Sequence, residues 1–238
     1  MTASAESAVR AVLFDMDGTL VDTERYWGEA MFELAGSLGG SMSPEARTAT
    51  VGTSMRRAIQ ILHADLGVVR SEEQLQADAR RVEDRAGELM ETAGIRWRPG
   101  ARELLEAVRD AGLATALVTT TPRRLAAIVL ASIAADLGGE PFDVTVCGDE
   151  VPARKPDPRP YLQAATALGV DIDACVVVED SLVGVTAGLA AGMAVLGVPA
   201  LQPVPAAPGL TLRETLVGAG LPELDAALAA RPGAHAVH

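Results

Sequence analysis

Short, almost wholly apolar runs, separated by helix-length segments, recur along this chain and restrict it to a parallel sheet covered by helices on both faces. Val9–Phe14, Ala114–Thr119, Val144–Cys147, Ala174–Glu179 and Ala194–Val198 read as buried strands rich in Val and Leu. Ala101–Ala111, Pro122–Ile133, Pro158–Leu168 and Ser181–Ala191 read as the helices between them. A strand that is apolar along its whole length has both faces buried, and strands of that kind connect through helical crossovers. The composition agrees: apolar residues make up 49% of the chain but aromatic ones only 3%. A core of Ala, Val and Leu suits close helix-on-sheet packing and argues against an all-β sandwich. With 238 residues the chain can bury one generous core, or one core and a small second module. Gln202–Gly209 reads as a Pro/Ala loop, and the last residues are expected to fray.

One stretch breaks the alternation. From about Asp22 to Arg98 there is no convincing strand, only helical periodicity. Tyr26, Trp27, Ala30, Met31, Leu34 and Leu38 fall at three- and four-residue steps, as do Leu75, Ala79, Val82, Ala86 and Leu89. Ser71-Glu72-Glu73-Gln74 fits a capping box opening that last helix. Pro99-Gly100 marks the return to the sheet. The chain is therefore expected to divide into an α/β core, residues 1–21 and 99–238, and a helical module, residues 22–98, inserted after the first strand. Ligands of an open α/β sheet bind at the carboxyl ends of its strands, so the insertion emerges where a cap over the site would stand.

Charge narrows the partners. A net charge of −12 with no compensating basic run excludes a nucleic acid or an anionic membrane as the expected partner, so an anionic substrate must be attracted by a metal or a positioned cation. Val9–Phe14 is too short for a signal segment or a membrane span, and no basic stretch precedes it; a cytoplasmic protein is expected. Cys147 and Cys175 sit in apolar runs without metal-ligand spacing, and two buried thiols are expected rather than a disulfide. His63, His235 and His238 are scattered, which speaks against a histidine-based metal site or triad.

The candidate chemistry lies at the strand ends. The first strand closes on Phe14-Asp15-Met16-Asp17-Gly18-Thr19-Leu20. Two carboxylates two residues apart on extended chain point the same way, and a cation beside them relieves their repulsion. A polar strand end followed by an Asp17-Gly18 turn is the plain alternative. The second strand ends in Val118-Thr119-Thr120-Thr121, hydroxyls and backbone N–H groups at a helix start that suit either phosphate oxygens or simple capping. The fourth ends in Val178-Glu179-Asp180-Ser181. Three strand ends carrying oxygen ligands at one sheet edge fit an all-oxygen Mg²⁺ site better than three coincidences. The sharpest signal is Lys155: of the 20 basic residues, 19 are Arg and this is the one Lys. An ammonium where the chain otherwise uses guanidinium implies a compact point charge beside carboxylates and an incoming phosphate.

Together these elements resemble the haloacid dehalogenase-like superfamily of hydrolases, in that family's order: Asp15-x-Asp17-Gly-Thr, Thr119, Lys155-Pro, then Glu179-Asp180-Ser181 with Gly184 and Gly192 following. The resemblance implies a Rossmann-like core with the Asp15 strand central, and the helical cap of the beta-phosphoglucomutase and phosphoglycolate phosphatase branch. Asp22-Thr23-Glu24 looks like that branch's hinge, and Gly52-Thr53-Ser54 like its cap substrate loop. It implies Asp15 as the nucleophile that forms an aspartyl-phosphate, and Asp17 as the acid for the leaving oxygen and then the base for water. Thr119 and the Thr120 amide would hold phosphoryl oxygens, and Lys155 would offset transition-state charge. Mg²⁺ would be held by Asp15, the Asp17 carbonyl and Asp180, with Glu179 ligating directly or through water. Gly52 and Arg56 are the cap residues expected at the substrate; Trp27 is either a cap contact or core.

The expected function is hydrolysis of a small phosphomonoester, a sugar phosphate or similar. The alternative is a beta-phosphoglucomutase-like phosphomutase, against which stand Trp27 at the position of that branch's histidine and an insertion without lysine. A dehalogenase needs neither Mg²⁺ nor a second aspartate, and a non-catalytic phosphate-binding protein would be expected to have lost one of the reacting groups.

Overall fold

The computed structural model describes residues 7–232; His235, His238 and the residues expected to fray lie outside that range. In chain order the elements are β1 (Ala11–Phe14), α1 (Glu24–Ser37), α2 (Pro44–Thr50), α3 (Met55–Leu66), α4 (Glu72–Ala93), α5 (Ala101–Asp110), β2 (Ala114–Val118), α6 (Arg123–Leu137), β3 (Val144–Val146), α7 (Arg159–Leu168), β4 (Cys175–Glu179), α8 (Leu182–Ala190), β5 (Ala194–Gly197), β6 (Leu210–Leu212) and α9 (Leu221–Ala229). The strands form one parallel sheet in the order β3-β2-β1-β4-β5-β6.

The two-sided burial read from the strand sequences is realised residue by residue. Val12 and Phe14 of β1, Leu117 of β2, Val176 and Val178 of β4 and Leu196 of β5 pack into one core layer. Their neighbours Ala11 and Leu13, Ala116 and Val118, Cys175 and Val177, and Val195 pack into the other. α5, α6 and α9 cover the first layer through Leu104, Leu105, Val129 and Leu224. α7 and α8 cover the second through Tyr161, Ala164, Val185 and Ala187. Such Rossmann-like α/β layering follows from the period-two alternation of strand side chains. Both cysteines are buried and unpaired.

Past the Gln202–Gly209 loop the sequence reading named no element, and the chain adds two. β6 is a three-residue, half-exposed edge strand, too short for a pattern to show. α9 was legible: Leu224, Ala227 and Leu228 are buried at helical spacing.

Between β1 and β2 the chain makes five helices, of which α1 to α4 precede the return to the sheet at Pro99-Gly100. Tyr26, Ala30, Met31 and Leu34 of α1 and Leu75, Val82, Ala86 and Met90 of α4 are buried in the same continuous core layer as α5 and α6. The capping box opening α4 is present: Ser71 Oγ accepts from Gln74 N, and Gln74 Oε1 accepts from Ser71 N. The two segments joining the insertion to the sheet run against each other, with Asp22 N donating to Arg96 O and Arg98 N to Leu20 O, both at 2.8 Å. Among the described residues no helix is long and apolar enough to cross a membrane.

Candidate active site

Strand register brings the chemistry to one edge. Phe14 is level with Leu117 on β2 and Val178 on β4, so Asp15 stands level with Val118 and Glu179, the last residues of β2 and β4. β1 and β4 also flank the point where strand order reverses, the usual crevice of an open α/β sheet. Lys155 arrives there from the loop between β3 and α7.

Lys155 is the hub. Its Nζ donates to Asp15 Oδ1 at 2.8 Å, to Glu179 Oε1 at 2.6 Å and to the Val118 carbonyl at 2.7 Å, so all three ammonium protons have acceptors. The Tyr161 ring lies 4.8 Å from Nζ, and its hydroxyl donates to Glu179 Oε1 at 2.8 Å. Glu179 Oε2 accepts from Ser181 Oγ at 3.1 Å and more weakly from Ser181 N at 3.3 Å. Both Glu179 oxygens are thus engaged by protein groups. Burial pulls the Lys155 ammonium down, but Asp15 and Glu179 outweigh it and hold its pKa above the usual lysine value. Burial, reinforced by Glu179 and opposed by Lys155, pushes the Asp15 carboxyl up to about 7.

Asp180 completes an acidic pocket. Thr19 Oγ1 lies 3.0 Å from Asp180 Oδ1 and 3.1 Å from Asp15 Oδ2, bridging the two carboxylates. Asp180 Oδ2 is buried with no hydrogen-bond partner, and burial, then Asp15 and Glu179, hold this carboxyl well above the ordinary range. Gly18, at φ +85°, makes the space beside it: a Cβ there would lie 2.4 Å from Asp180 Oδ2. Ligand oxygens of Asp15, Glu179 and Asp180 lie within 4.8 Å of one another. An orphaned carboxylate oxygen in an all-oxygen cluster with one lysine for three carboxylates fits a divalent hard cation.

Asp17 sits where the insertion meets the sheet. Its Oδ1 accepts from Thr23 Oγ1 and from Trp27 Nε1, the latter at 3.1 Å. Its Oδ2 accepts from Thr121 Oγ1 at 2.7 Å and, at a longer 3.4 Å, from Thr119 Oγ1. Trp27 is therefore more than core: its indole N–H holds the second aspartate. Sequence reasoning also missed Thr121 and Tyr161 as partners of the site.

Asp15, Asp17, Trp27, Thr121, Lys155 and Asp180 line a cavity of about 70 Å³ between the sheet edge and the insertion. Thr120 and Gly52 both line it. Gly52 is pressed so closely on the core that a Cβ would meet Ser181 Cβ at 2.9 Å. Arg56 is not brought there. It is exposed and pairs with Glu72 on α4, because α3 turns Met55 and Ala58 toward the cavity and the next residue points away. The cap arginine in the cavity wall is Arg47, bonded to Glu24.

Comparison with known proteins agrees with this fold. The sequence pattern of the haloacid dehalogenase-like hydrolases matches residues 9–192. The phosphorylated carbohydrates phosphatase of Thermotoga maritima is 36% identical over 78% of this chain and 82% of its own length. Hexitol phosphatase B of Escherichia coli K12 is 33% identical over 83% and 86%. The crystal structure of a CbbY variant from Rhodobacter sphaeroides in complex with xylulose-(1,5)bisphosphate superposes with a TM-score of 0.76 at 27% identity, covering 91% of this chain and 99% of that one.

Proposed function

The chain belongs to the haloacid dehalogenase-like hydrolases, and from that premise we propose that it is a Mg²⁺-dependent phosphatase of small sugar or polyol phosphomonoesters, working through an aspartyl-phosphate on Asp15. The observation that carries this reading is the Lys155 ammonium 2.8 Å from Asp15 Oδ1, beside the unpartnered Asp180 oxygen. Asp15, Asp180 and the Asp17 carbonyl would hold the cation, with Glu179, which also secures Lys155, ligating directly or through water. When bound, Mg²⁺ supplies positive charge against the phosphoryl oxygens and orients them.

The chain's own groups then account for the reaction. A carboxylate oxygen of Asp15 attacks phosphorus and the ester oxygen leaves, taking a proton from Asp17. Lys155 faces the charge that develops on the transferring group, and the Thr119 hydroxyl and Thr120 amide orient it. Asp17, now a carboxylate, takes a proton from water, which displaces Asp15 from phosphorus and releases phosphate. The insertion acts as a cap, moving about residues 20–23 and 95–100 to exclude bulk water. The cavity between the sheet edge and the insertion, about 70 Å³, is where the phosphoryl group would enter. The Thermotoga and Escherichia relatives act on phosphorylated carbohydrates and hexitol phosphates by name, which supports the same substrate class here; the acidic surface fits a cytoplasmic enzyme with no nucleic-acid or membrane partner.

The test is a panel of phosphate esters assayed with Mg²⁺ and with EDTA. Hexose and hexitol monophosphates are expected to be hydrolysed with Mg²⁺ and spared in EDTA. Full turnover after confirmed metal removal, or no ester hydrolysed at all, would overturn the reading.

A further inference from the structure

The insertion contributes an ion pair to the cavity wall that the reaction does not use. Glu24 opens α1 and Arg47 lies in the last turn of α2. Arg47 Nη2 donates to Glu24 Oε2 and to the Glu24 carbonyl, both at 2.8 Å, and Nη1 donates to Thr50 Oγ1 at 3.2 Å. The guanidinium is wedged against Gly28, where a Cβ would stand 3.0 Å from its Nε. The two side chains keep only 14% and 18% of their exposure.

The pair is asymmetric. Arg47 is paired with Glu24 and gives three of its five N–H groups to Glu24 and Thr50. Glu24 has one oxygen held by Arg47, while Oε1 has no hydrogen bond from the described residues and the side chain lines the cavity. Its charge is felt by both Asp17 and Asp180, so it stands within electrostatic reach of the reacting centre. Glu83, also on the wall, is engaged by Arg124 at 2.9 Å. Arg154, the cavity-lining cation without a carboxylate partner among the described residues, belongs to the Lys155 loop rather than to the insertion. The cap side of the cavity therefore offers a carboxylate oxygen and, among the described residues, no cation without a carboxylate partner.

We propose that the Glu24–Arg47 pair reads the non-reacting end of the substrate, with Glu24 accepting hydrogen bonds from the hydroxyls of an uncharged polyol chain and repelling a second phosphate. The enzyme is then selective for polyol monophosphates over bisphosphates. This rests on the phosphatase reading above and adds to it the residues that discriminate. A hydroxyl bonded to a carboxylate is a charge-assisted contact, whereas a phosphate at the same place sets like charges together in a partly desolvated wall. The fold itself accommodates bisphosphates, as the CbbY complex with xylulose-(1,5)bisphosphate shows, so the selectivity must come from side chains such as these.

The experiment compares kcat/KM for sorbitol 6-phosphate and sorbitol 1,6-bisphosphate, with Mg²⁺, in the wild type, Glu24→Gln and Glu24→Asp. The ratio of the two esters is read on each preparation, so an inactive fraction cancels. The wild type is expected to favour the monophosphate by on the order of 10²-fold, Glu24→Gln to reduce that preference about tenfold or more, and Glu24→Asp to retain most of it. Sorbitol 1,6-bisphosphate is also expected to inhibit wild-type hydrolysis of para-nitrophenyl phosphate only weakly, a measurement that needs no variant. Equal kcat/KM for the two esters in the wild type, strong inhibition by the bisphosphate, or an unaltered ratio in Glu24→Gln would overturn this inference alone. A wild type that hydrolyses no ester with Mg²⁺ would overturn the phosphatase reading and this one with it.

Discussion

Replacing Lys155 with methionine removes the single positive charge among Asp15, Glu179 and Asp180 while keeping a side chain of similar length. In the native protein Lys155 is buried, bonded to two carboxylates at 2.8 and 2.6 Å and to the Val118 carbonyl. The variant leaves Glu179 buried with only Tyr161 and Ser181 as donors and Asp15 with the shared Thr19 hydroxyl. Breaking a buried pair by removing one partner costs about 3–5 kcal/mol. At about 2–4 °C per kcal/mol for a chain of this size, the melting temperature should fall by roughly 6–20 °C. The assay is thermal unfolding followed by circular dichroism at pH 8, in EDTA and in Mg²⁺. Mg²⁺ should recover more of the loss in the variant than it adds to the wild type, because the cation becomes the sole counter-charge. Turnover should drop by on the order of 10²–10³-fold, as for loss of one preorganised donor. A fall of less than about 2–4 °C in EDTA, the equivalent of 1 kcal/mol, would refute the view that the carboxylates depend on Lys155.

Two further outcomes follow from the same contacts. Trp27→Phe keeps the ring and deletes the N–H that reaches Asp17 Oδ1; hydrolysis of an alkyl phosphate should slow about tenfold, the scale of one hydrogen bond to a charged group, and that of para-nitrophenyl phosphate less, and equal losses would show that Trp27 does not act through Asp17. In metal-free protein the folded state holds protons on Asp15, near pH 7, and on Asp180 more tightly than the unfolded chain does. That contribution to stability is complete below about pH 4 and is lost as the pH rises through about 7. In EDTA the melting temperature should therefore decline from pH 6 to pH 8, and Mg²⁺ should raise it more at pH 8; a flat or rising profile would contradict the burial of these carboxyls.

The core of this fold was legible because each strand carries its own signal. Five apolar runs with helices between them yield five of the six strands within one or two residues of their ends. β6 was not legible, since three half-exposed residues carry no periodicity. At the site, Asp15, Asp17, Thr119, Glu179 and Asp180 could be named from the sequence because strand ends of a parallel sheet converge by topology, and Lys155 because it is the one lysine among 20 basic residues. What stayed hidden were contacts made by convergence of distant elements: Tyr161 on Glu179, Trp27 on Asp17, and Arg47 on Glu24. The choice of Arg56 over Arg47 shows the limit. Arg56 adjoins the Gly52 loop in sequence, yet one residue of helical phase sends it to Glu72, while Arg47 reaches the cavity wall from a different helix.

The central claim is that Asp15 carries the phosphoryl group and Asp17 moves the protons, and rapid-quench analysis of Asp17→Asn tests it most directly. Para-nitrophenyl phosphate, whose leaving group needs no proton, is mixed with the variant and Mg²⁺, quenched in acid, and the protein is mapped by mass spectrometry. Asp17→Asn keeps the backbone carbonyl and the nucleophile but lacks the base that activates water, so breakdown of the intermediate should slow by on the order of 10²–10⁴-fold. The account predicts phosphate accumulating on Asp15, and none in an Asp15→Asn control. Release of phosphate without any covalent protein intermediate, or phosphate mapped to another residue, would contradict it.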